Sequence, residues 1–173
     1  MIGGWESFHG LAGEYHNSPL AEVLPVVMQT SDERVNSAQP CIIEKLCHHP
    51  IIEGLLLERP PNIGGYNRVT AKPGATQSLS VRHLEIAVSG TGGGYQFGIG
   101  QSAPLLVVGN FGQGRTTVFT SDVAPHWVGG FVDWGQPRVT AHAPKAGQIE
   151  IGCHYAKFFY RLAAWTMGQS IDD

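Results

Sequence analysis

The sequence predicts a single domain that mixes strands and helices, and three observations support this prediction. The chain has 173 residues, enough to bury most of the surface that its unfolded form would expose. Its residues are 42% hydrophobic and only 14% charged, which is typical of a folded chain rather than a disordered one. Short β-rich runs alternate with segments of helical character. We therefore expect one domain over residues 1–173.

Charge, hydropathy and cysteine content exclude several classes of protein. Lys and Arg number 11 and Asp and Glu number 14, a net charge of −3 without a basic run, which does not fit a nucleic-acid binder. No apolar run approaches the roughly 20 residues of a membrane helix, and no signal peptide is visible at the amino terminus. Three cysteines without a CxxC spacing do not form a disulfide framework. A cytoplasmic protein without a membrane or nucleic-acid partner is expected.

The amino-terminal segment resembles the end of a strand followed by a glycine turn. A strand needs about five or six residues, so most of this one would lie upstream of Met1, inside a larger sheet. The glycine-rich segment 3–13 has the composition of a loop that passes close to a ligand. Ser18 and Pro19 then predict the start of a short helix, which Pro25 ends.

The middle of the chain predicts several short strands. They lie at 26–28, 41–46 and 65–71, with a polar connection or sheet edge at 31–39 and a brief helical turn at 49–55 that Gly54 ends. A glycine-rich insertion is predicted near 76–103, with a strand at 84–88 and a surface excursion over residues 90–100.

The carboxy-terminal part carries the clearest local signals. Two β-rich runs at 104–109 and 115–120 flank turn glycines, which predicts an antiparallel hairpin. Apolar residues at helical spacing predict a final helix that begins at about Ile149 and is capped by Gly168.

Several motifs, taken in order, resemble one known family. They are IGGWESFHGLAG at 2–13, PLAEVLPV at 19–26, HPI at 49–51, GYNRV at 65–69, KPGA at 72–75 and FTSDVAPHW at 119–127. Together they are similar to the glutamine amidotransferase-like family of bacterial cytoplasmic proteins, with trehalose-utilisation-like proteins as relatives. The resemblance implies an α/β domain of the class I type, a flavodoxin-like three-layer sandwich. The chain resembles the carboxy-terminal two-thirds of a member and lacks its first βα units.

The resemblance also indicates where catalytic residues are expected. A class I amidotransferase needs a Cys on a strand-to-helix elbow, a His that takes its proton and a carboxylate that orients the His. The elbow is expected at residues 3–10, which contain no Cys, and Ser7 is the only hydroxyl there. His126 follows a strand end, as the family's catalytic His does, and Asp122 is placed to orient it. In the alternative interpretation, Asp122 only ties down a turn, while His126 and Trp127 pack beneath the edge of the sheet.

A ligand site is predicted at the carboxyl edge of the sheet, where open α/β sheets bind small molecules. The residues assigned to it are Trp5, Glu6, His9, Tyr15, Asn67, Arg68 and Trp127. His9 and His16, with Glu6 and Glu14, match no metal motif by their spacing, and the cysteines are expected to be small buried hydrophobes. We therefore predict neither a metal nor a cofactor.

Two functions from different classes remain open. The first is an amidotransferase-like domain without the elbow Cys, which binds a small polar ligand; if it is an enzyme, it is a hydrolase or amidotransferase-like protein without a Cys nucleophile. The second is a non-catalytic structural or interaction subunit that forms a homo-oligomer.

Overall fold

A computed structural model of the chain describes residues 1–90, 93–123, 126–142 and 144–171. Residues 91–92 of the predicted glycine-rich insertion, and residues 124–125 of the FTSDVAPHW motif, lie outside the described residues.

The amino-terminal loop leads into a 3₁₀ turn at Tyr15–Asn17 and a short helix, α1 (Leu20–Val23). The Ser18 hydroxyl accepts a hydrogen bond from the amide of Leu20, so the predicted cap is present. The helix ends before Pro25, as predicted, and strand β1 (Val26–Val27) follows.

Six further strands follow along the chain: β2 (Arg34–Lys45), β3 (Asn62–Asn67), β4 (Thr70–Ala71), β5 (Thr76–Ser89), β6 (Gly94–Phe111) and β7 (Gly114–Phe119). The central sheet has five antiparallel strands in the order β3-β2-β5-β6-β7. Strand β4 pairs with β1 in a separate two-stranded sheet. A 3₁₀ turn at Pro50–Ile52 lies between β2 and β3, where the helical turn was predicted.

Strands β6 and β7 form the predicted hairpin. Asn110 pairs with Arg115, and Gly112 in the turn has a φ of 58°, which favours glycine. The run at 104–109 is the buried part of β6, because it packs on both faces of the sheet.

The predicted insertion near 76–103 is more regular than a surface excursion. It forms all of β5 and the first half of β6, which pair from Thr76 and Val108 to Ser89 and Gly94. The strand predicted at 84–88 is part of β5. The glycines at 93–100 conceal the strand in the sequence, because glycine has no β preference of its own.

The final helix begins later than predicted. Residues Gln148–Gly152 form strand β9, which pairs with β8 (Arg138–His142), and helix α2 covers Cys153–Thr166. Ile149 and Ile151 alternate with polar residues, a period of two that suits a strand. Gly168 has a φ of 75°, as expected for the residue that follows a helix.

The central sheet is buried on both faces. Most of the core lies between one face and α2, and its aromatic part consists of Phe119, Phe131, Trp134, Tyr155 and Phe158. A smaller cluster on the other face packs Phe8 and Val26 against Val107 and Val118.

The sheet curls until its two edges approach each other. The amide of Asn67, at the end of β3, donates to the carbonyl of Thr120, just beyond β7. Ile2 forms an isolated parallel bridge with Phe119 at the same place. The described residues thus form an α/β arrangement dominated by antiparallel strands, and the flavodoxin-like three-layer sandwich stays a prediction. Among the described helices, none is long and apolar enough to cross a membrane.

Candidate functional site

The loop of residues 3–10 leaves the Ile2 bridge and turns back on itself above the sheet edge. The amide of Leu11 donates to the carbonyl of Trp5 across this turn. Gly3 lies against the carbonyl of Thr120, and a Cβ atom there would overlap it. The glycine therefore lets the loop begin directly beside the end of β7.

Two buried polar side chains hold this loop in place: Glu33, which the sequence did not single out, and Asn67, which was predicted as a ligand-binding residue. Glu33, 4% exposed, accepts hydrogen bonds from the amide of Gly10 at 3.0 and 3.2 Å. Asn67 is fully buried, accepts from the amide of Gly4 and donates to the carbonyl of Gly4. Asn67 also donates to the Glu33 carboxylate at 2.8 Å. Both the oxygen and the nitrogen of the Asn67 side chain thus form hydrogen bonds within the protein.

Trp5 and His126 meet at the surface of this loop. Their rings stack with centroids 4.5 Å apart and planes inclined by 28°. The guanidinium carbon of Arg34 lies 5.6 Å from the centre of the Trp5 ring, within cation–π distance. Three segments that are distant in sequence therefore converge at one indole ring, and two of them, those of Trp5 and His126, were predicted.

Arg34 is itself fixed by a carboxylate. Its guanidinium donates to both oxygens of Asp32, at 2.8 and 2.7 Å. These hydrogen bonds lower the pKa of Asp32 to about 2 and raise the pKa of Arg34. Neither residue was predicted as part of the site. An Asp and an Arg two residues apart in a polar segment indicate only an ordinary exposed ion pair.

Asp122 organises the segment that contains His126. Its carboxylate, 4% exposed, accepts hydrogen bonds from the amides of His126 at 3.0 Å and of Trp127 at 3.1 Å. The distance from Asp122 Oδ2 to His126 Nδ1 is 3.9 Å, too long for a hydrogen bond. The contacts of Asp122 match the turn-tying interpretation, while the His126 side chain stays half exposed and free to meet a ligand.

Trp127 points into the protein. It is 2% exposed, its indole nitrogen donates to Asn36 Oδ1 at 2.7 Å, and its ring occupies the space beside Gly65. This packing explains why Gly65 must lack a side chain. The role of Trp127 in ligand binding stays a prediction.

The other predicted residues spread around the loop. Glu6 accepts a hydrogen bond from the amide of Ala12. Arg68 is exposed and directly follows strand β3, and Tyr15 begins the 3₁₀ turn Tyr15–Asn17. His9 and His16 approach each other with their Nδ1 atoms 3.2 Å apart. Within the described residues no three metal-ligating side chains form a group.

Cys41 belongs to a separate polar cluster in the sheet. His83 lies between Cys41 Sγ, 3.8 Å from its Nδ1, and the Tyr66 hydroxyl, 2.9 Å from its Nε2. Burial raises the pKa of the Cys41 thiol and of the Tyr66 phenol, so both stay protonated at neutral pH. The thiol is therefore not an activated nucleophile. Cys41 is fully buried as predicted, whereas Cys47 and Cys153 are only partly buried.

A cavity of about 300 Å³ lies elsewhere, between the 3₁₀ turn Pro50–Ile52 and helix α2. Its wall includes the buried Arg161, which donates to the carbonyl of Glu53. None of its lining residues was predicted as a site residue; they are His48, His49, Pro50, Glu53, Arg161 and Ile171. This cavity is separate from the predicted site, where Trp5 and His126 are each about half exposed.

Comparison with known proteins decides the family. A family model described as "Putative glutamine amidotransferase" matches residues 1–139. The chain belongs to this glutamine amidotransferase-like family. Among solved structures, the cytoplasmic protein STM3548 from Salmonella typhimurium is similar with a TM-score of 0.69 and 29% identity, over 96% of this chain and 53% of that one. The cytoplasmic protein STM1381 from Salmonella typhimurium LT2 has a TM-score of 0.59 and 32% identity, over 74% of this chain and 45% of that one. A comparison with curated proteins finds no match.

The chain spans about half the length of both solved structures. The matched region includes the 3–10 loop, Asp122 and His126, so the candidate site lies within the glutamine amidotransferase-like part. The matched region ends before β9 and α2.

The backbone conformation of residues 3–10 can be compared with that of a nucleophile elbow. A nucleophile elbow holds its nucleophile in the strained position of a sharp turn. In the 3–10 loop the non-glycine residue with a positive φ is Phe8, at 58°, and its ring is fully buried in the smaller cluster of the core. Ser7 precedes it and is half-buried. Among the non-glycine residues of this loop, the positive-φ conformation typical of an elbow is therefore held by an apolar core residue.

Proposed function

We propose that this glutamine amidotransferase-like domain binds a small polar ligand at the surface formed by Trp5, Ser7 and His126, without thiol-dependent hydrolysis of glutamine. The observation that supports the proposal most directly is the Trp5–His126 stack, which two distant loops build at the sheet edge. The His126 imidazole is half exposed, and its Nδ1 lies 3.9 Å from Asp122 Oδ2, too far for a hydrogen bond, so its ring can bind a ligand.

The chemistry of the surface limits the ligand. The Trp5 ring stacks on His126 and forms a cation–π contact with Arg34, and Trp5 is still 42% exposed, so a ligand can contact the open parts of the Trp5 and His126 rings. The His126 imidazole and the Ser7 hydroxyl both form hydrogen bonds as donors or acceptors. Amides and sugars are small molecules that offer matching groups, and we expect one of these classes to bind.

Thiol chemistry is not part of the proposal. The 3–10 loop contains no Cys, and Phe8 holds its strained position. If a reaction occurs, Ser7, His126 and Asp122 are the catalytic candidates, as the family resemblance suggests. The proposal also includes a flavodoxin-like domain, as the family resemblance implies. It includes a cytoplasmic localisation, because both similar solved structures are named cytoplasmic proteins.

A ligand-induced shift of the melting temperature tests the binding site. We expect at least one member of a panel of amides and sugars to raise Tm by about 3–6 °C at ten times its Kd. His126→Ala and Trp5→Ala should each reduce this shift, and Ser7→Ala should reduce it if the hydroxyl contacts the ligand. His48→Ala is the matched control, because His48 is an exposed histidine outside the site. Equal shifts in all variants would show that the ligand binds elsewhere.

An interaction role is the second candidate function, and one observation favours it. The outer part of the β5–β6 hairpin exposes a row of large apolar side chains. In this role the chain acts as a subunit of a homo-oligomer, and the ligand site is not required for assembly.

A further inference from the structure

The outer half of the β5–β6 hairpin extends beyond the rest of the sheet. Strand β2 pairs with β5 only between Leu79 and His83, and β7 pairs with β6 only from Leu106 onward. Beyond these points, β5 and β6 have only each other as described strand partners. We call this outer half the arm; it comprises residues 84–89 and 94–101.

The arm has one apolar face. Residues that lie directly opposite each other on antiparallel strands share a face, and the opposing pairs are Leu84 with Ile99, Ile86 with Phe97, and Val88 with Tyr95. The alternate positions, which include Glu85, Ala87 and Gln96, lie on the other face. The apolar set is thus a continuous row of three cross-strand pairs.

This apolar face is unusually exposed. Phe97 is 75% exposed, Ile99 74%, Tyr95 68% and Val88 67%. With about 150–250 Å² for each aromatic side chain, the exposed apolar area is on the order of 500 Å². Patches of that size on a monomer are commonly binding sites.

We propose that the apolar face of the arm binds the same face of a second copy of this chain. The inference deepens the interaction role proposed above, because it names both the surface and the partner. It does not depend on the ligand site.

The charge of the arm argues against a lipid or nucleic-acid partner. Residues 84–100 contain a single charged side chain, Glu85, and no Lys or Arg. Anionic membranes and nucleic acids attract basic segments. An apolar protein surface fits the arm better.

The shape of the face makes it complementary to itself. Strand β5 contributes only aliphatic side chains to the face, and β6 contributes Tyr95, Phe97 and Ile99. A two-fold axis that runs parallel to the strands places the aliphatic row of one copy over the aromatic row of the other. Each large ring thereby packs against smaller side chains, as in two stacked sheets.

The area is sufficient for a weak dimer. Two such faces bury on the order of 1,000 Å² in total, which is close to the lower limit of specific interfaces. We therefore expect a monomer–dimer equilibrium with a Kd of roughly 1–100 µM rather than an obligate dimer.

Sedimentation equilibrium of the full chain, over protein concentrations of about 1–200 µM chosen to bracket that Kd, tests the proposal. Phe97→Asp should raise the Kd of the dimer at least about tenfold, because it places a charge at the centre of the face. Gln96→Asp introduces the same charge at the neighbouring position on the opposite face and should leave the Kd unchanged. Circular dichroism and the melting temperature of each variant show that the fold is retained.

Each outcome has a distinct meaning. A wild-type chain that stays monomeric throughout this range contradicts both the arm contact and self-association. A dimer that Phe97→Asp leaves intact, while the variant is folded, shows that the copies associate through another surface. If Phe97→Asp fails to fold, Tyr95→Asp on the same face provides the test, and an unchanged Kd there also overturns the arm contact.

Discussion

Three buried polar side chains accept hydrogen bonds from backbone amides of the two loops that carry Trp5 and His126. They are Glu33, Asn67 and Asp122. A buried carboxylate or amide is stable only when its hydrogen bonds are satisfied. Each of these side chains therefore fixes the position of a loop without itself being exposed to a ligand.

His49 is a buried residue whose protonation links stability to pH. It is 8% exposed, its Nδ1 accepts a hydrogen bond from the amide of Ile51, and its ring contacts the edge of Trp165. Burial, and secondarily the charge of Arg115, lower the pKa of His49 below its usual 6.5. In the fold His49 therefore stays neutral at pH values at which the unfolded chain already binds the proton.

We expect His49→Asn to reduce the pH dependence of stability. The pKa of His49 is lowered in the fold, so its contribution is present above pH 6.5 and is lost as the pH falls from 6.5 through the folded pKa. Urea denaturation should show the wild-type free energy of unfolding falling more steeply than that of the variant between pH 7.5 and 5.5. Asn can still accept the hydrogen bond from Ile51. Parallel pH curves for the two proteins would contradict a lowered pKa.

At the scale of elements, helix α2 supplies one wall of the main core. Its buried positions are Tyr155, Phe158, Arg161 and Ala164, spaced three residues apart. Phe158 is fully buried and lies against the rings of Phe119, Phe131 and Phe159. The helix is therefore attached to β7 by aromatic packing more than by polar contacts.

Phe158→Ala should destabilise the fold by about 3–5 kcal/mol, because it removes a large buried ring and leaves a cavity. Tyr160→Ala, on the same helix but with Tyr160 62% exposed, should change stability by about 0.5 kcal/mol or less. Equilibrium urea denaturation measures both. Similar losses in the two variants would mean that α2 does not pack against the sheet as described.

At the scale of the whole molecule, the curled sheet encloses Cys41. Strand β2 lies between β3 and β5, and Cys41 pairs with a residue on each side, Ile63 and His83. Reagents therefore reach the thiol only when the sheet opens, and the raised pKa slows the reaction further.

We expect Cys41 to report global unfolding in the double variant Cys47→Ser/Cys153→Ser. Its reaction with a thiol reagent should be at least about a hundredfold slower than that of a free cysteine, and it should accelerate with urea in step with unfolding. Cys47, kept alone in the corresponding variant, should react faster because it is only partly buried. Rapid modification of Cys41 without urea would contradict the enclosed position.

The parts of the fold that were predicted correctly are those with local signals. The β6–β7 hairpin carries turn glycines between β-branched runs, and the short helix α1 lies between a Ser-Pro start and Pro25. The start of α2 was wrong because Ile149 and Ile151 fit both a helical and an alternating pattern, and pairing with β8 decides between them. The β6 half of the arm was concealed because its glycines carry no strand preference, whereas the strand predicted at 84–88 is part of β5.

The candidate site was predictable only in part. Trp5 and His126 were selected from the sequence, and the structure brings their rings together. Glu33 and Arg34 were missed, because a buried carboxylate and an arginine beside an indole become visible only when distant segments fold against each other. Tertiary contacts, not local preferences, assemble this surface.

The Glu33–Asn67 contact has a consequence for the order of folding. The residues that fix the 3–10 loop follow it along the chain, Glu33 at 23 residues from Gly10 and Asn67 at 63 residues from Gly4. During synthesis the loop therefore leaves the ribosome long before its partners, and it cannot become ordered until β3 and the end of β7 have been made. The loop that carries Trp5 is translated before the residues that hold it in place, and its surface is completed only when the segment of His126 has been made.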